Sequence, residues 1–328
     1  MNKQFIAFAL LSFASLAHAD EMLFADHPLV GRIWDMHSHS FIDESKLLAR
    51  TNTANVLLLG EIHDNPLQHE LQQKLLKARI ESTVHSVSRP ALMPALMMEQ
   101  LDAESQPALD QALAGNDRDK ILSSVTRLIT FSDWQAYQPF LAIAVDNKLP
   151  VIAANVSNQK LQPVIWRGYA AYDAAELKRL AVEQVWNEGR QNYLVTHMGG
   201  AHCGKLRDEL RAGLTRSQRM RDALMVDSAV LSIDRGVVAI VGSSHARRDI
   251  GLPLYFAARA PSARLLSLAF IEVSPGVTDP GKYEADSATG EVPYDVVWFT
   301  PRVDRIDPCA NLDMEYKPKT ADKLNPAK

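Results

Sequence analysis

The sequence predicts an α/β fold with a mainly parallel central sheet, helices on both faces and an inserted helical lobe. Short, fully apolar runs such as 55–59 and 236–241 alternate with longer amphipathic segments. Runs of this kind, bounded by glycine, are typical of buried strands in a parallel sheet. Strands that alternate with helices indicate parallel βαβ units, whose helices cover both faces of the sheet.

The predicted elements follow one another from residue 54 onward. Strands are predicted at 55–59, 94–99, 150–154, 237–241, 265–273 and 294–299. Helices are predicted at 69–81, after Pro66 at a helix start, and at 134–147, and as several helices within 163–225 that are interrupted by Gly199, Gly200 and Gly204. The polar segment 106–128 is predicted to be the inserted helical lobe.

The chain divides into four segments. Residues 1–19 are typical of a signal peptide, with Lys3, an apolar run over 5–16 and an Ala17-His18-Ala19 cleavage site. No cysteine lies near this site, so a lipid anchor is not expected there and the mature chain is predicted to be periplasmic. Residues 20–53 show no periodicity and are predicted to be a leader that docks on the domain formed by 54–308. Residues 309–328 are predicted to be a frayed tail.

The amino-acid composition excludes some classes of function. The 328 residues are 47% hydrophobic, which is enough for a full core, and their net charge is −4. Without a basic patch, nucleic acid is not an expected partner. The absence of a C-x-x-C-H motif excludes covalent c-type haem attachment.

Acidic and imidazole side chains follow the predicted strands. Glu61 and His63 come after the first strand, Glu99 ends the second, and His245 follows the strand at 237–241. The carboxyl ends of parallel strands line one crevice, so these residues are expected to meet there. They would suit Mn²⁺, Co²⁺ or Zn²⁺ and could activate water, with Glu61, His63 and His245 as the catalytic residues of a hydrolase. The alternative is a structural network.

The arginines after His245 have two interpretations. Arg247 and Arg248 could hold carboxylates such as haem propionates. Equally, Arg248 could form a buried pair with Asp222 or Glu99 that holds the sheet and helices in register.

Tyrosines and cysteines leave further alternatives open. Tyr137, beside Trp134, could ligate ferric haem as the phenolate or could simply pack in the interior.

Cys203 and Cys309 are the only cysteines and could form a disulfide, which would stabilise the fold by about 4–5 kcal/mol if unstrained. Otherwise a free Cys203 beside His202 would suit a soft metal or haem iron.

Six motifs in order resemble the ChaN family, which shares a superfamily with the Tiki proteases and erythromycin esterases. The motifs are GEIHDN at 60–65, WxxYxP at 134–139, HCG at 202–204, QRMRD at 218–222, GxxHxRRDxGxP at 242–253 and YDVVWFTPR at 294–302. The resemblance covers about residues 50–310, nearly the whole mature chain.

The resemblance implies an exported haem-binding protein for haem or iron acquisition, with haem held non-covalently at a homodimer interface. A tyrosine would ligate the iron, with Tyr137 as first candidate and Tyr193 as second, supported by His197 or His202 of the other subunit. An outer-membrane haem receptor or a periplasmic haem carrier is an expected partner, and outer-membrane association would fit the family. The superfamily's alternative is a metal-dependent hydrolase of the Tiki type.

Overall fold

An eight-stranded mixed sheet forms the centre of the protein. The computed structural model describes residues 22–85, 92–129, 131, 133–201, 203–284, 287–288, 290–305 and 309. Strands β1 to β8 are Ile33–Asp35, Ser40–Ile42, Val56–Glu61, Ala95–Asp102, Val151–Asn155, Val237–Gly242, Leu265–Glu272 and Val296–Thr300. The predicted signal peptide, 1–19, and the end of the predicted tail, 310–328, lie outside the described residues.

Helices connect most of the strands. Helices α1 to α11 are Glu44–Thr53, Pro66–Val84, Gln106–Leu113, Arg118–Thr126, Gln138–Asp146, Asn158–Arg167, Ala174–Arg179, Glu188–Ala201, Asp208–Ala229, Ser243–Ala246 and Leu252–Arg259. Short 3₁₀ helices are Ala103–Ser105, Trp134–Tyr137, Gly168–Ala171, Val230–Arg235 and Pro280–Tyr283. Within the described residues, no helix combines the length and apolar character needed to span a membrane.

The strands lie in the order β2-β1-β8-β7-β3-β6-β4-β5. All neighbours from β8 to β5 are parallel, whereas β1 runs antiparallel to both β2 and β8. The fold class predicted from the sequence is therefore confirmed. Each strand predicted from an apolar run is present, with ends that differ by a few residues.

Alternate residues of each central strand enter opposite cores. In β3, Val56 and Leu58 pack in one core, while Leu57 and Leu59 pack in the other. Helices α9 and α11 cover the first face, and α2 and α5 cover the second. This follows from the period of two in a strand, and it explains why the buried strands have no polar face.

The N-terminal segment is more ordered than the sequence suggests. Residues 20–53 were expected to be an aperiodic leader, but they supply β1, β2 and α1. Ile33 pairs with Trp298 of β8, and the Asp43 side chain accepts the Lys46 N–H at the start of α1. Three-residue strands are too short to show a period of two, which is why the sequence pattern does not reveal them.

The main helical insertion lies between β5 and β6. Helices α6 to α9 occupy it, whereas the segment 106–128, predicted to be the lobe, forms only the short α3 and α4. Helix α9 crosses α6 closely at Gly213, where an added Cβ would lie 2.5 Å from the carbonyl oxygen of Ile165. A side chain at residue 213 would therefore push the two helices apart.

Candidate functional site

Two buried carboxylates lie toward the carboxyl ends of two strands that flank β6 in the sheet. Glu61 ends β3 and Glu99 lies in β4, with β6 between these two strands. Their residues are 2% and 9% exposed, so each charge needs partners. Gly242 ends β6 beside them, and a Cβ there would lie 3.0 Å from Nε2 of His63. The missing side chain of Gly242 thus makes room for the imidazole.

Glu61 accepts hydrogen bonds from two side chains and lies close to a third. Its Oε1 accepts the Tyr137 hydroxyl and, at 2.9 Å, Nδ1 of His63. Its Oε2 lies 3.3 Å from Nε2 of His69, a buried residue of α2. Burial alone would raise the pKa of Glu61, but the hydrogen bond from His63 and the nearby His69 ring hold it below the usual value. Glu61 is therefore ionised at neutral pH.

Glu99, His245 and Asp222 form a second, fully buried group. Oε2 of Glu99 accepts the Gly242 N–H at 2.6 Å, and its Oε1 lies 3.3 Å from Nε2 of His245. The other ring nitrogen of His245 contacts Asp222 of α9. Burial opposes the charges, but the two carboxylates raise the pKa of His245 to about 10, and His245 is a main cause that lowers the pKa of Glu99 to about 2. Burial raises the pKa of Asp222.

His63 is the point at which these groups approach solvent. Its side chain is 38% exposed, and its Nε2 lies 3.9 Å from Oε1 of Glu99. Burial would lower the pKa of His63, but the hydrogen bond to Glu61 and the charge of Glu99 raise it. The ring also meets Phe131 edge-on, with centroids 5.5 Å apart. His63 thus links Glu61 to the Glu99–His245 pair.

The structure brings Glu61, His63, Glu99 and His245 together, as their positions after the strands predict. Their roles as metal ligands or as catalytic residues stay a prediction. In the parts of the chain that the structure describes, no three His, Cys, Asp or Glu side chains form a group suited to holding a metal ion. The acids and imidazoles are paired with one another, so the arrangement favours the structural network over the hydrolase.

Tyr137 belongs to this buried cluster. It ends the 3₁₀ helix Trp134–Tyr137, is fully buried, and donates its hydroxyl to Glu61. Burial and the Glu61 charge both raise the pKa of Tyr137. Its ring packs 4.8 Å from that of His69. This environment holds the phenol in its neutral form and does not favour Tyr137 as an iron ligand.

Arg247 and Arg248 have carboxylate partners within the protein. The Arg247 guanidinium is buried and binds both oxygens of Asp249, at 2.9 and 2.8 Å. Nη1 of Arg248 lies 2.9 Å from Oδ2 of Asp295, and its side chain is 36% exposed. The interpretation in which Arg248 pairs with Asp222 or Glu99 is wrong, because Arg248 pairs with Asp295 and those two carboxylates contact His245 instead.

A second group of predicted residues lies on α8. Tyr193 and His197 are one helical turn apart and half-buried, with ring centroids 5.8 Å apart and planes within 15°. The Arg247 guanidinium carbon lies 4.8 Å from the centroid of the Tyr193 ring. The structure therefore joins three of the predicted haem-binding residues at one place. His202 lies outside the described residues.

The alternatives for the cysteines are resolved. Cys203 and Cys309 form a disulfide, with their Cα atoms 5.6 Å apart. Cys203 comes just after α8, where it adopts a positive φ of 60°. The bond ties the end of α8 to the chain beyond β8, and it excludes a thiolate ligand at Cys203.

Sequence reasoning missed three partners in these clusters. His69 was not singled out, although Gln68, His69 and Gln72 are polar side chains at helical spacing on the buried face of α2. That spacing was the feature of the sequence from which the burial of His69 could have been predicted. Asp222 was considered only as a partner for Arg248, and Asp249 only as part of a motif. Nothing in the local pattern reveals that Asp249 binds the arginine two residues before it.

Comparisons with known proteins were made for sequence and structure. A family model described as haem-binding uptake, Tiki superfamily, ChaN matches residues 47–256, which is more than half of the chain. A search of curated proteins finds no significant match. The solved structure of ChaN from Campylobacter jejuni, which carries cofacially bound haem, has a TM-score of 0.64 at 19% identity, covering 81% of this chain and 95% of that chain. That likeness shows the shared fold.

Two further solved structures are more distant. A mutant of the erythromycin esterase EreC has a TM-score of 0.38 at 11% identity, covering 81% of this chain and 95% of its own. The type III effector HopBA1 has a TM-score of 0.37 at 12% identity, covering 78% and 92%. Scores this low support no conclusion about fold or function.

Proposed function

The chain belongs to the ChaN family of haem-binding uptake proteins in the Tiki superfamily, and we propose that it is exported and binds ferric haem non-covalently for haem or iron acquisition. The contact between Tyr193 and His197 on α8 is the observation that supports assigning the haem site to these residues. Haem, when bound, would supply a ferric iron, and a tyrosine phenolate is one of the ligands that hold haem iron in proteins. The site therefore needs a reachable phenol and groups that hold it.

Tyr193 meets these needs in part. It lies on α8 and is half-buried as a residue, but its hydroxyl oxygen is buried, so haem would reach it only after neighbouring side chains move. His197 lies one turn further along the same helix, and its ring stacks on that of Tyr193 with the planes within 15°. The Arg247 guanidinium, which is paired with Asp249, lies over the Tyr193 ring and contacts its face. These contacts support Tyr193 as the iron ligand.

Tyr137, the first candidate from the sequence, lacks these properties. An iron ligand at Tyr137 would have to remove the hydroxyl from Glu61 and open a fully buried part of the second core. Loss of that hydroxyl would leave Glu61 with only its histidine donors. The proposal therefore assigns the ligand to Tyr193 and leaves Tyr137 in the structural network.

A positively charged side chain is also available for the propionates of haem. Haem is a largely apolar disc with two anionic propionates. Arg248 has its side chain 36% exposed, and it could share its charge between Asp295 and a propionate. Arg247 is not proposed for this role because both oxygens of Asp249 hold its buried guanidinium.

Export, dimerisation and partners complete the proposal. A disulfide between Cys203 and Cys309 is typical of an oxidising compartment, which supports a periplasmic location. We propose that two copies enclose haem between them, with His197 of each copy near the ligand of the other. Delivery would then involve a haem receptor of the outer membrane or a periplasmic carrier. Light scattering with and without hemin measures the dimer.

Hemin titration of the apo-protein tests the ligand assignment. We expect one hemin per chain, a Soret shift and the charge-transfer band of phenolate-bound ferric haem. Tyr193→Phe should remove that band and weaken binding by at least tenfold. Tyr137→Phe is the matched control and should keep the band, although it lowers stability. A band that survives Tyr193→Phe would contradict the assignment.

A further inference from the structure

An open cavity of about 380 Å³ lies between the start of α8 and helix α11. Three charged side chains line it, namely those of Arg190, Arg248 and Glu291. The rest of its lining is apolar and consists of Val185, Pro253, Leu254, Ala257 and Ala258. The volume is near the lower end of the range for small-molecule sites, so the cavity suits a short alkyl chain or the edge of a larger molecule.

Arg190 has no carboxylate within hydrogen-bond distance among the described residues. Its Nη1 donates to the Val185 carbonyl at 3.0 Å, and its Nη2 lies 3.7 Å from Oε2 of Glu291, whose side chain is 61% exposed. Its Nε is buried, so a ligand would meet the terminal nitrogens. The Arg190 side chain is only 19% exposed, and a largely buried cation is stabilised by a hydrogen-bonded anion.

Arg248 is held by a carboxylate through one nitrogen. Its Nη1 donates to Oδ2 of Asp295 at 2.9 Å. Asp295 also accepts the Ser267 N–H at 2.8 Å and contacts Nε2 of His37 at 2.7 Å, so its charge is shared among three partners. A guanidinium has five N–H donors, and the Arg248 side chain is partly exposed, so it has donors left for a second carboxylate.

We propose that this cavity binds a carboxylate carried on an apolar body, with Arg190 and Arg248 on the anion and the outer side of α11 against the apolar part. Ala257 and Ala258 are exposed, so this apolar lining is accessible. Arginine suits carboxylates because its planar guanidinium donates two parallel hydrogen bonds. Glu291 competes with the ligand, because its carboxylate already lies beside Nη2 of Arg190.

Two kinds of molecule carry this chemistry: haem, through a propionate, and a free alkyl carboxylate. Arg190 and Tyr193 are three residues apart on α8 and therefore lie on one face of the helix, so the cavity borders the residues proposed for haem. The haem source rests on the proposed function, whereas the alkyl carboxylate does not.

Each source is tested with an acid and its neutral counterpart. Octanoate is compared with octanol, and zinc protoporphyrin, whose propionates are free, is compared with its dimethyl ester. The apo-protein is labelled with ¹⁵N-arginine, and the Nε signals of Arg190 and Arg248 are identified by their absence from Arg190→Gln and Arg248→Gln. We expect the acid that binds to move both signals and its neutral counterpart to move neither.

Variants of the lining separate the charged from the apolar contribution. Arg190→Gln should weaken binding of the acid by about tenfold, as expected for a lost charge-assisted hydrogen bond, and Arg190→Lys should recover part of it. Glu291→Gln should strengthen binding by about threefold, because it removes the competing carboxylate. Ala257→Phe, at an exposed position of α11, fills the cavity without changing its charge and should abolish binding. The matched control is Arg179→Gln on α7, outside the cavity, which should change nothing.

The inference is overturned if neither acid moves the two arginine signals, if octanol moves them as far as octanoate does, or if Glu291→Gln weakens binding. If zinc protoporphyrin moves the signals and its ester does not, the cavity is a propionate site. If only octanoate moves them, the carboxylate site stands and Arg248 is removed from the proposed haem site. A phenolate band that survives Tyr193→Phe overturns the iron-ligand assignment alone and leaves the octanoate result unaffected.

Discussion

Oε1 of Glu99 lies 3.3 Å from Nε2 of His245, and this buried contact joins β4 to α10, the short helix that follows β6. His245 is held on its other side by Asp222 of α9. One imidazolium thus connects β4, the turn after β6 and the long helix of the insertion. The contact stabilises the sheet at the place where the candidate residues meet.

His245→Gln should be strongly destabilising. It leaves Glu99 and Asp222 buried without their shared positive partner, and breaking a buried ion pair costs about 3–5 kcal/mol. Urea unfolding measures the loss. His37→Gln is the control, because that histidine pairs with Asp295 from a side chain that is 52% exposed and should cost less than about 1 kcal/mol. Equal losses in the two variants would contradict this account.

The stabilisation from His245 should depend on pH in a defined way. The pKa of His245 is raised from 6.5 to about 10, so its contribution is complete below pH 6.5 and is lost as the pH rises toward 10. The pKa of Glu99 is lowered from 4.5 to about 2, so its contribution is complete above pH 4.5 and is lost as the pH falls toward 2.

The difference in Tm between wild type and His245→Gln should therefore be greatest between pH 4.5 and 6.5 and should decrease on both sides. Scanning calorimetry across pH 3–9 gives the curve. A difference that keeps increasing up to pH 9 would be inconsistent with the charged imidazole.

Removal of the disulfide should affect both stability and haem binding. Cys203 and Cys309 are separated by 106 positions, so the double variant to serine should lose about 2–5 kcal/mol. Since Cys203 comes just after α8, we also expect weaker hemin binding. Urea unfolding and hemin titration measure the two effects. Unchanged hemin affinity in a destabilised double variant would show that the bond does not hold the Tyr193 helix in place.

Gly60 should tolerate no side chain. A Cβ there would lie 2.8 Å from Cβ of Ala246 and 3.1 Å from Cα of Ser243, so Gly60→Ala would force α10 away from β3 at about 1–3 kcal/mol. Gly200 in α8 has nothing within 4 Å of an added Cβ, and Gly200→Ala should be neutral or stabilising. Chemical unfolding of both variants tests the contrast.

The sequence predicts the central sheet well because its strands are continuous apolar runs between glycines. It also predicts that Glu61, His63, Glu99 and His245 meet, since residues after parallel strands share one edge. It does not predict their pairing. The partner of His245 depends on how the four-residue helix α10 turns its side chains toward α9, and no local pattern encodes that orientation.

The tyrosines illustrate the same limit. Tyr137 and Tyr193 both follow helix-forming sequence, and nothing near either residue shows which one is buried. The interior position of Tyr137 comes from the contact of its 3₁₀ helix with Glu61, and the half-buried position of Tyr193 comes from the packing of α8 on α9. Both contacts join segments far apart in the chain.

Resonance Raman spectroscopy of the ferric hemin complex tests the central claim most directly. In protein labelled with ring-¹³C tyrosine, we expect iron–phenolate bands that shift with the label, vanish in Tyr193→Phe and persist in Tyr137→Phe. Bands that persist in Tyr193→Phe, or that are absent from the wild-type complex, would contradict the assignment of haem to the phenol on α8.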